Sequence, residues 1–202
     1  MADGSIASPL AYPTVLLALL NGRYTAQTMA VSNAGFGGET TDQGAARLQQ
    51  VLNASSPEVV LLMEGSNDLN QNVAADVVVH NLRDMVRSAR NRGLLVFLGT
   101  LPPERAGGGR AGAPAAIGPT NDQIRVLASN ENAVLVDVYQ AFGGVAGSLI
   151  GDDGLHPNEA GYRKIAETFF DAIRSRLETG SMPLMHPGDS LYASHRLGQY
   201  NW

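Results

Sequence analysis

The chain has 202 residues, enough for one domain around one substantial core. Its composition, 44% hydrophobic and 16% charged, is that of a soluble globular protein and excludes global disorder, while a net charge of −5 argues against nucleic acid as a partner. The absence of cysteine excludes a disulfide framework, a thiolate-held metal and a thiol nucleophile. The opening Met1-Ala2-Asp3-Gly4 lacks a basic stretch followed by an apolar core, so no signal peptide is read there. The apolar run Val15 to Leu20 is too short to span a bilayer.

Taken in chain order, helical patterns alternate with short apolar runs. Tyr12 to Asn21 reads as a helix with Pro13 in its first turn, where a missing N–H costs nothing. Thr28 to Ser32 reads as a short strand, and Thr41 to Leu52 as a helix with Asp42 near its start. Glu58 to Met63 is nearly continuously apolar and reads as a buried strand. Val73 to Arg90 carries Val78, Leu82, Met85 and Ala89 on one helical stripe, and Gly93 ends it. Leu94 to Leu98 reads as a strand, Arg105 to Ala116 as a mobile Gly/Ala/Pro-rich loop, and Pro119 to Ser129 as a helix. Ala133 to Val138 is a further strand. Asn158 to Leu177 is a long helix with Ile165, Phe169, Ile173 and Leu177 on one face. Strands apolar on both sides need helices on both sides, which predicts an α/β fold with a mostly parallel sheet in three layers. No internal repeat or linker divides the chain, so residues 1–202 read as a single domain. Sites in such folds form in the loops at the carboxyl ends of the strands.

Segments at those positions carry chemistry. Gly151-Asp152-Asp153-Gly154-Leu155-His156-Pro157-Asn158 precedes the last helix. Asp153 and His156 are close enough on a tight turn for the carboxylate to accept from one imidazole nitrogen and leave the other as a base. The bland alternative is a surface turn in which Asp and Asn act as turn and cap residues. Asn33 to Thr41 runs from a strand end to a helix start. Its glycines let backbone N–H groups face a ligand and hold an oxyanion, and no Gly-Lys-Ser/Thr follows to make it a phosphate loop. Glu64-Gly65-Ser66-Asn67-Asp68-Leu69 follows the strand Glu58 to Met63. Its Asn67 amide can donate to developing charge, or the Asn-Asp pair can serve as a cap. His80 lies within a helical pattern and reads as a surface or packing residue.

The order of these segments, Asn-x-Gly-x-x-Gly-Glu-Thr-Thr, Gly-x-Asn-Asp and Asp-Gly-Leu-His-Pro-Asn, resembles the SGNH (GDSL) hydrolase family from Ala11 to about Leu177. The resemblance implies a flavodoxin-like three-layer α/β/α sandwich. It also implies hydrolysis of carboxylic esters (short acyl, lipid or acetylated sugar) by a Ser-His-Asp triad, with no cofactor and no metal. Carried over by residue, His156 is the general base, Asp153 its orienting partner, and Gly38 and Asn67 the oxyanion donors. The expected partner is a small-molecule ester.

Family members open with an apolar strand ending in Gly-Asp-Ser, whose serine is the nucleophile, and no such strand precedes Tyr12 here. Gly-Asp-Ser-Leu instead occurs at Gly188-Asp189-Ser190-Leu191. This suggests a circular permutation in which residues 179–202 supply the first strand and Ser190 the nucleophile. Pro183 and Pro187 speak against a central strand there. Ser5, in Asp3-Gly4-Ser5-Ile6, is a weaker candidate without a preceding strand. His186 and His195 also lie in the tail and receive no role. Two alternatives stay open: a catalytically inactive SGNH-like binding domain without a placed nucleophile, and a flavodoxin-like nucleotide or receiver module.

Overall fold

The computed structural model describes residues 11–178. Its elements are α1 (Tyr12–Arg23), α2 (Thr41–Ser55), β1 (Val59–Leu62), α3 (Ser66–Asn70), α4 (Ala75–Asn91), β2 (Leu95–Gly99), α5 (Pro114–Asn130), β3 (Val134–Val136), α6 (Val138–Ala141) and α7 (Glu159–Leu177). The strands pair in parallel in the order β1-β2-β3, with Val59 opposite Leu95 and Phe97 opposite Val134. Parallel neighbours need crossovers, and α4 and α5 supply them.

Period-two alternation along the strands decides the layering. Leu62, Val96 and Leu98 pack with Leu52 of α2, Leu82 of α4 and Ile124 of α5. Val59, Phe97 and Val136 face the other way and pack with Leu16 and Leu20 of α1 and with Ile165, Phe169 and Ile173 of α7. The three-layer α/β/α sandwich with a parallel sheet is therefore the fold, as the alternation of elements implied.

Local chemistry sets several boundaries. Asn158 caps α7, its side-chain oxygen accepting from the Gly161 N–H at 3.1 Å. Gly93, at φ +81°, ends α4 by donating to the Arg90 carbonyl at 2.8 Å, and β2 begins soon after. Two sequence expectations change. Helix α5 begins at Pro114, ahead of Pro119, which lies inside it. The buried Asn121 of this helix clamps Leu101 from both sides, accepting from its N–H at 2.7 Å and donating to its carbonyl at 2.9 Å. That tertiary bond holds the helix in register although Pro119 removes one rung. Among the described residues Thr28 to Ser32 forms no strand element, only a single β-bridge position at Ala30. A cavity separates Val31–Asn33 from β1. Helices α3 and α6 are too short for periodicity to reveal.

Candidate active site

The segment between α6 and α7 folds back on itself. Ile150 pairs with Pro157 as an isolated antiparallel bridge, and the Gly151 N–H donates to the His156 carbonyl at 2.8 Å. Inside this loop His156 Nδ1 lies 2.6 Å from Asp153 Oδ2, while Asp153 Oδ1 accepts from the N–H groups of Leu155 and His156, each at 3.0 Å. The carboxylate is thus held by its own turn. Burial pushes the Asp153 carboxyl upward, but the His156 side-chain bond and the two backbone bonds outweigh it and hold it below the usual carboxylate range. With Nδ1 engaged, Nε2 is the imidazole nitrogen left for proton transfer.

The remaining polar groups come from loops at the carboxyl end of β1 and ahead of α2. Gly38 lies at φ +79°, a left-handed conformation that a side chain rarely adopts. Gly65, at φ +130°, lets β1 turn into α3; a Cβ there would come 2.7 Å from Val78 Cγ1. One turn on, Asn67 Nδ2 donates to the Glu39 carbonyl at 2.9 Å, which fixes the amide and leaves its second hydrogen for another acceptor. The buried Asp68 carboxylate accepts from the Thr41 N–H at 3.0 and 2.9 Å and from its hydroxyl at 2.6 Å. The Asn-Asp pair therefore divides its work: Asp68 secures the N-terminus of α2, where a negative charge is favoured, and Asn67 faces the site.

Gly38, Asn67 and His156 line one cavity of about 310 Å³, together with Phe36, Arg110 and Tyr162. The loop that the sequence suggested was mobile is bonded to the Asp153–His156 turn. The Arg105 N–H donates to the Gly154 carbonyl at 2.7 Å, and the Arg110 N–H to the Asp153 carbonyl at 2.9 Å. The Arg105 guanidinium reaches the Ile150 carbonyl at 2.5 Å. Gly108 makes this contact possible, since a Cβ there would sit 2.5 Å from the Asp153 carbonyl oxygen. Glycine richness signalled close backbone approach rather than freedom.

A second cavity, of about 240 Å³, runs between the outer edge of β1 and Val31–Asn33. Tyr12, Pro13, Asn33 and Gly35 border both cavities, so the two adjoin. Glu39, Arg47 and Glu64 line the second cavity, a charged group that sequence reasoning missed. The available signal was Glu64 itself, an acid placed directly after an apolar strand.

Ser190, Ser5, His186 and His195 lie outside the described residues. His80 is exposed on α4, with Nε2 3.4 Å from Asp84, a surface position as expected. Among the described residues no cluster of three or more His, Asp or Glu is arranged to hold a metal. Among them, too, no helix is long and apolar enough to cross a membrane.

The fold is a parallel α/β/α sandwich in which an Asp–His pair, a glycine and an asparagine meet at one cavity. Residues 2–164 match the family model described as GDSL-like Lipase/Acylhydrolase, and the chain belongs to that family of carboxylic-ester hydrolases. It is 30% identical over 149 residues to Esterase TesA of Pseudomonas aeruginosa, which covers 73% of this chain and 71% of TesA. It is 27% identical over 133 residues to a multidomain esterase of Ruminococcus flavefaciens, covering 63% of this chain but 17% of that protein. In structure it is similar to Axe2, an acetylxylan esterase from Geobacillus stearothermophilus, with a TM-score of 0.72 at 24% identity over 86% of this chain and 84% of the other. That last likeness is one of fold.

Proposed function

We propose that the chain cleaves small carboxylic esters with the triad Ser190, His156 and Asp153, and that Gly38 and Asn67 hold the oxyanion. The observation that carries this reading is the 2.6 Å contact between His156 Nδ1 and Asp153 Oδ2, in a turn whose histidine shares a cavity with Gly38 and Asn67. His156 Nε2 takes the proton of Ser190 as its oxygen attacks the ester carbonyl. The Gly38 N–H and the second Asn67 amide hydrogen meet the oxyanion, and His156⁺ then protonates the departing alcohol. Water repeats the sequence on the acyl-enzyme and releases the acid. Asp153 keeps the imidazole in one tautomer and offsets its transient charge.

Topology supports Ser190 as the nucleophile. Helix α7 ends beside α1, where Glu178 binds Arg23 at 2.9 Å and the Tyr24 hydroxyl at 2.9 Å. Residues 179 to 189 can reach about 36 Å when extended, more than a turn and a strand of roughly 17 Å require. The cavity along β1 is the slot such a strand enters. It adjoins the His156 cavity, so a strand running parallel to β1 would deliver Ser190 to its far end. Pro183 and Pro187 have no N–H and would interrupt that ladder. Residues 1–202 then act as one unit. The volume near His156 suits a short acyl group with an alcohol of modest size, acetylated sugars among them.

The test is mass spectrometry after fluorophosphonate treatment, beside hydrolysis of p-nitrophenyl acetate. A single adduct on Ser190 with hydrolysis lost, and both abolished in Ser190→Ala, is the expected result. Turnover with the adduct on Ser5 or elsewhere moves the nucleophile. Neither adduct nor turnover overturns the enzymatic reading and leaves a cleft that binds esters without cleaving them.

A further inference from the structure

Behind the oxyanion residues lies a cluster of carboxyl groups that the triad does not use. Glu39 is buried and forms a two-point ion pair with Arg47 of α2, one arm at 2.6 Å. Glu64 lines the same cavity as Glu39 and Arg47, its carboxyl facing that of Glu39 within reach of a hydrogen bond, and Glu64 Oε2 is buried with no hydrogen-bond partner among the described residues. Gly44 of α2 makes room for it, since a Cβ there would overlap both Glu64 carboxyl oxygens. The groups facing Glu64 are Glu39 from the loop before α2, Arg47 from α2 and Asp68 from α3. Tyr12 of α1 borders the same cavity. Three carboxyl groups thus meet one guanidinium already committed to Glu39. Two carboxyl groups can bond to each other only when one carries a proton.

The Glu39 backbone is also what fixes the site, because its carbonyl accepts from Asn67 Nδ2 at 2.9 Å and its neighbour is Gly38. We propose that Glu64 is a positioning residue: as the neutral acid it bonds Glu39 and holds the Gly38–Glu39 backbone and the Asn67 amide in place, and its ionisation releases them. The inference rests on the proposed oxyanion role of Gly38 and Asn67, but its structural half can be measured without turnover.

Burial, followed by the Glu39 bond and the Glu39 and Asp68 charges, pushes the Glu64 carboxyl up to about 8, with Arg47 opposing in part. Burial likewise pushes the Tyr12 hydroxyl up to about 12, so it stays neutral throughout. A carboxyl raised in the folded state favours folding most at low pH. Its contribution declines above the ordinary value of 4.5 and is lost as pH passes the folded value near 8. The thermal midpoint of the wild type should therefore fall between about pH 5 and 8, and Glu64→Gln, which cannot ionise, should flatten that fall. By NMR, the Asn67 side-chain amide resonances should move with a midpoint near 8 in the wild type and stay still in Glu64→Gln. If ester turnover is present, kcat should drop on the alkaline side with KM little changed, by up to about a hundredfold, and the same substitution should remove that limb. Gly44→Ala, whose Cβ would overlap the Glu64 carboxyl, should reproduce the high-pH amide positions at neutral pH.

Parallel pH dependences of thermal midpoint in the wild type and Glu64→Gln, or amide resonances that ignore pH, overturn the proposal whatever the enzyme's activity. Absent turnover with a titrating amide leaves this inference standing and sinks the catalytic one instead.

Discussion

Asn67 illustrates how a single side chain is given one task. One of its amide hydrogens is spent on the Glu39 carbonyl, and the other is directed by that bond. On the proposed oxyanion role, Asn67→Ala should lower kcat for p-nitrophenyl acetate by about a hundredfold to a thousandfold with KM nearly unchanged, as for a donor used only in the transition state. Steady-state kinetics check this. Asp153 makes a second residue-scale prediction. Its carboxyl is depressed in the fold, so its stabilising contribution is present above the ordinary value of 3.8 and is lost as pH falls through the lower folded value. Acid unfolding followed by circular dichroism should show a shallower loss in Asp153→Asn. The contact between Asp153 and His156 was legible in the sequence because the two sit three residues apart in one turn, whereas Gly38 and Asn67 were singled out by the family resemblance. The Glu39–Arg47–Glu64 group was not legible, because residues distant in sequence meet only when α2 packs beside the end of β1.

Caps and turns govern the elements. The Asn158 side chain serves both ends of its loop, accepting from the Gly161 N–H at 3.1 Å and donating to the Ser148 carbonyl at 2.7 Å. Asn158→Ala should cost about 1 kcal/mol or somewhat more, read as a lower thermal midpoint. The same cap ties α7 to the His156 turn, so activity should fall together with stability. Long periodic helices were readable to within a few residues, as in α4 and α7. Helix α5 was misjudged at its start, because the Asn121–Leu101 clamp that holds it is tertiary. Thr28 to Ser32 has a strand's composition but, among the described residues, shows only a single bridge position at Ala30, since pairing belongs to the neighbour as much as to the segment.

Across the whole molecule, the α1–α7 layer rests on Phe169. It is fully buried, stacks on Tyr12 with ring centroids 5.5 Å apart, and lies against Gly99, where a Cβ would approach its ring to 3.2 Å. Phe169→Ala should destabilise the fold by roughly 3–5 kcal/mol, since the packed layers on either side cannot collapse to fill the space. Urea unfolding measures it. Because Tyr12 borders both cavities, the loss should also loosen the wall of the site. The sequence by itself determined the layering, the parallel sheet and the Asp–His turn. Hydrophobic period and turn chemistry are local, and a short segment carries them whole. Only the tertiary structure decided that Arg105 to Ala116 is bonded to that turn, that the slot beside β1 adjoins the site, and that Glu64 meets Glu39. Each of these depends on distances between segments far apart in the chain, which packing sets and no local pattern records.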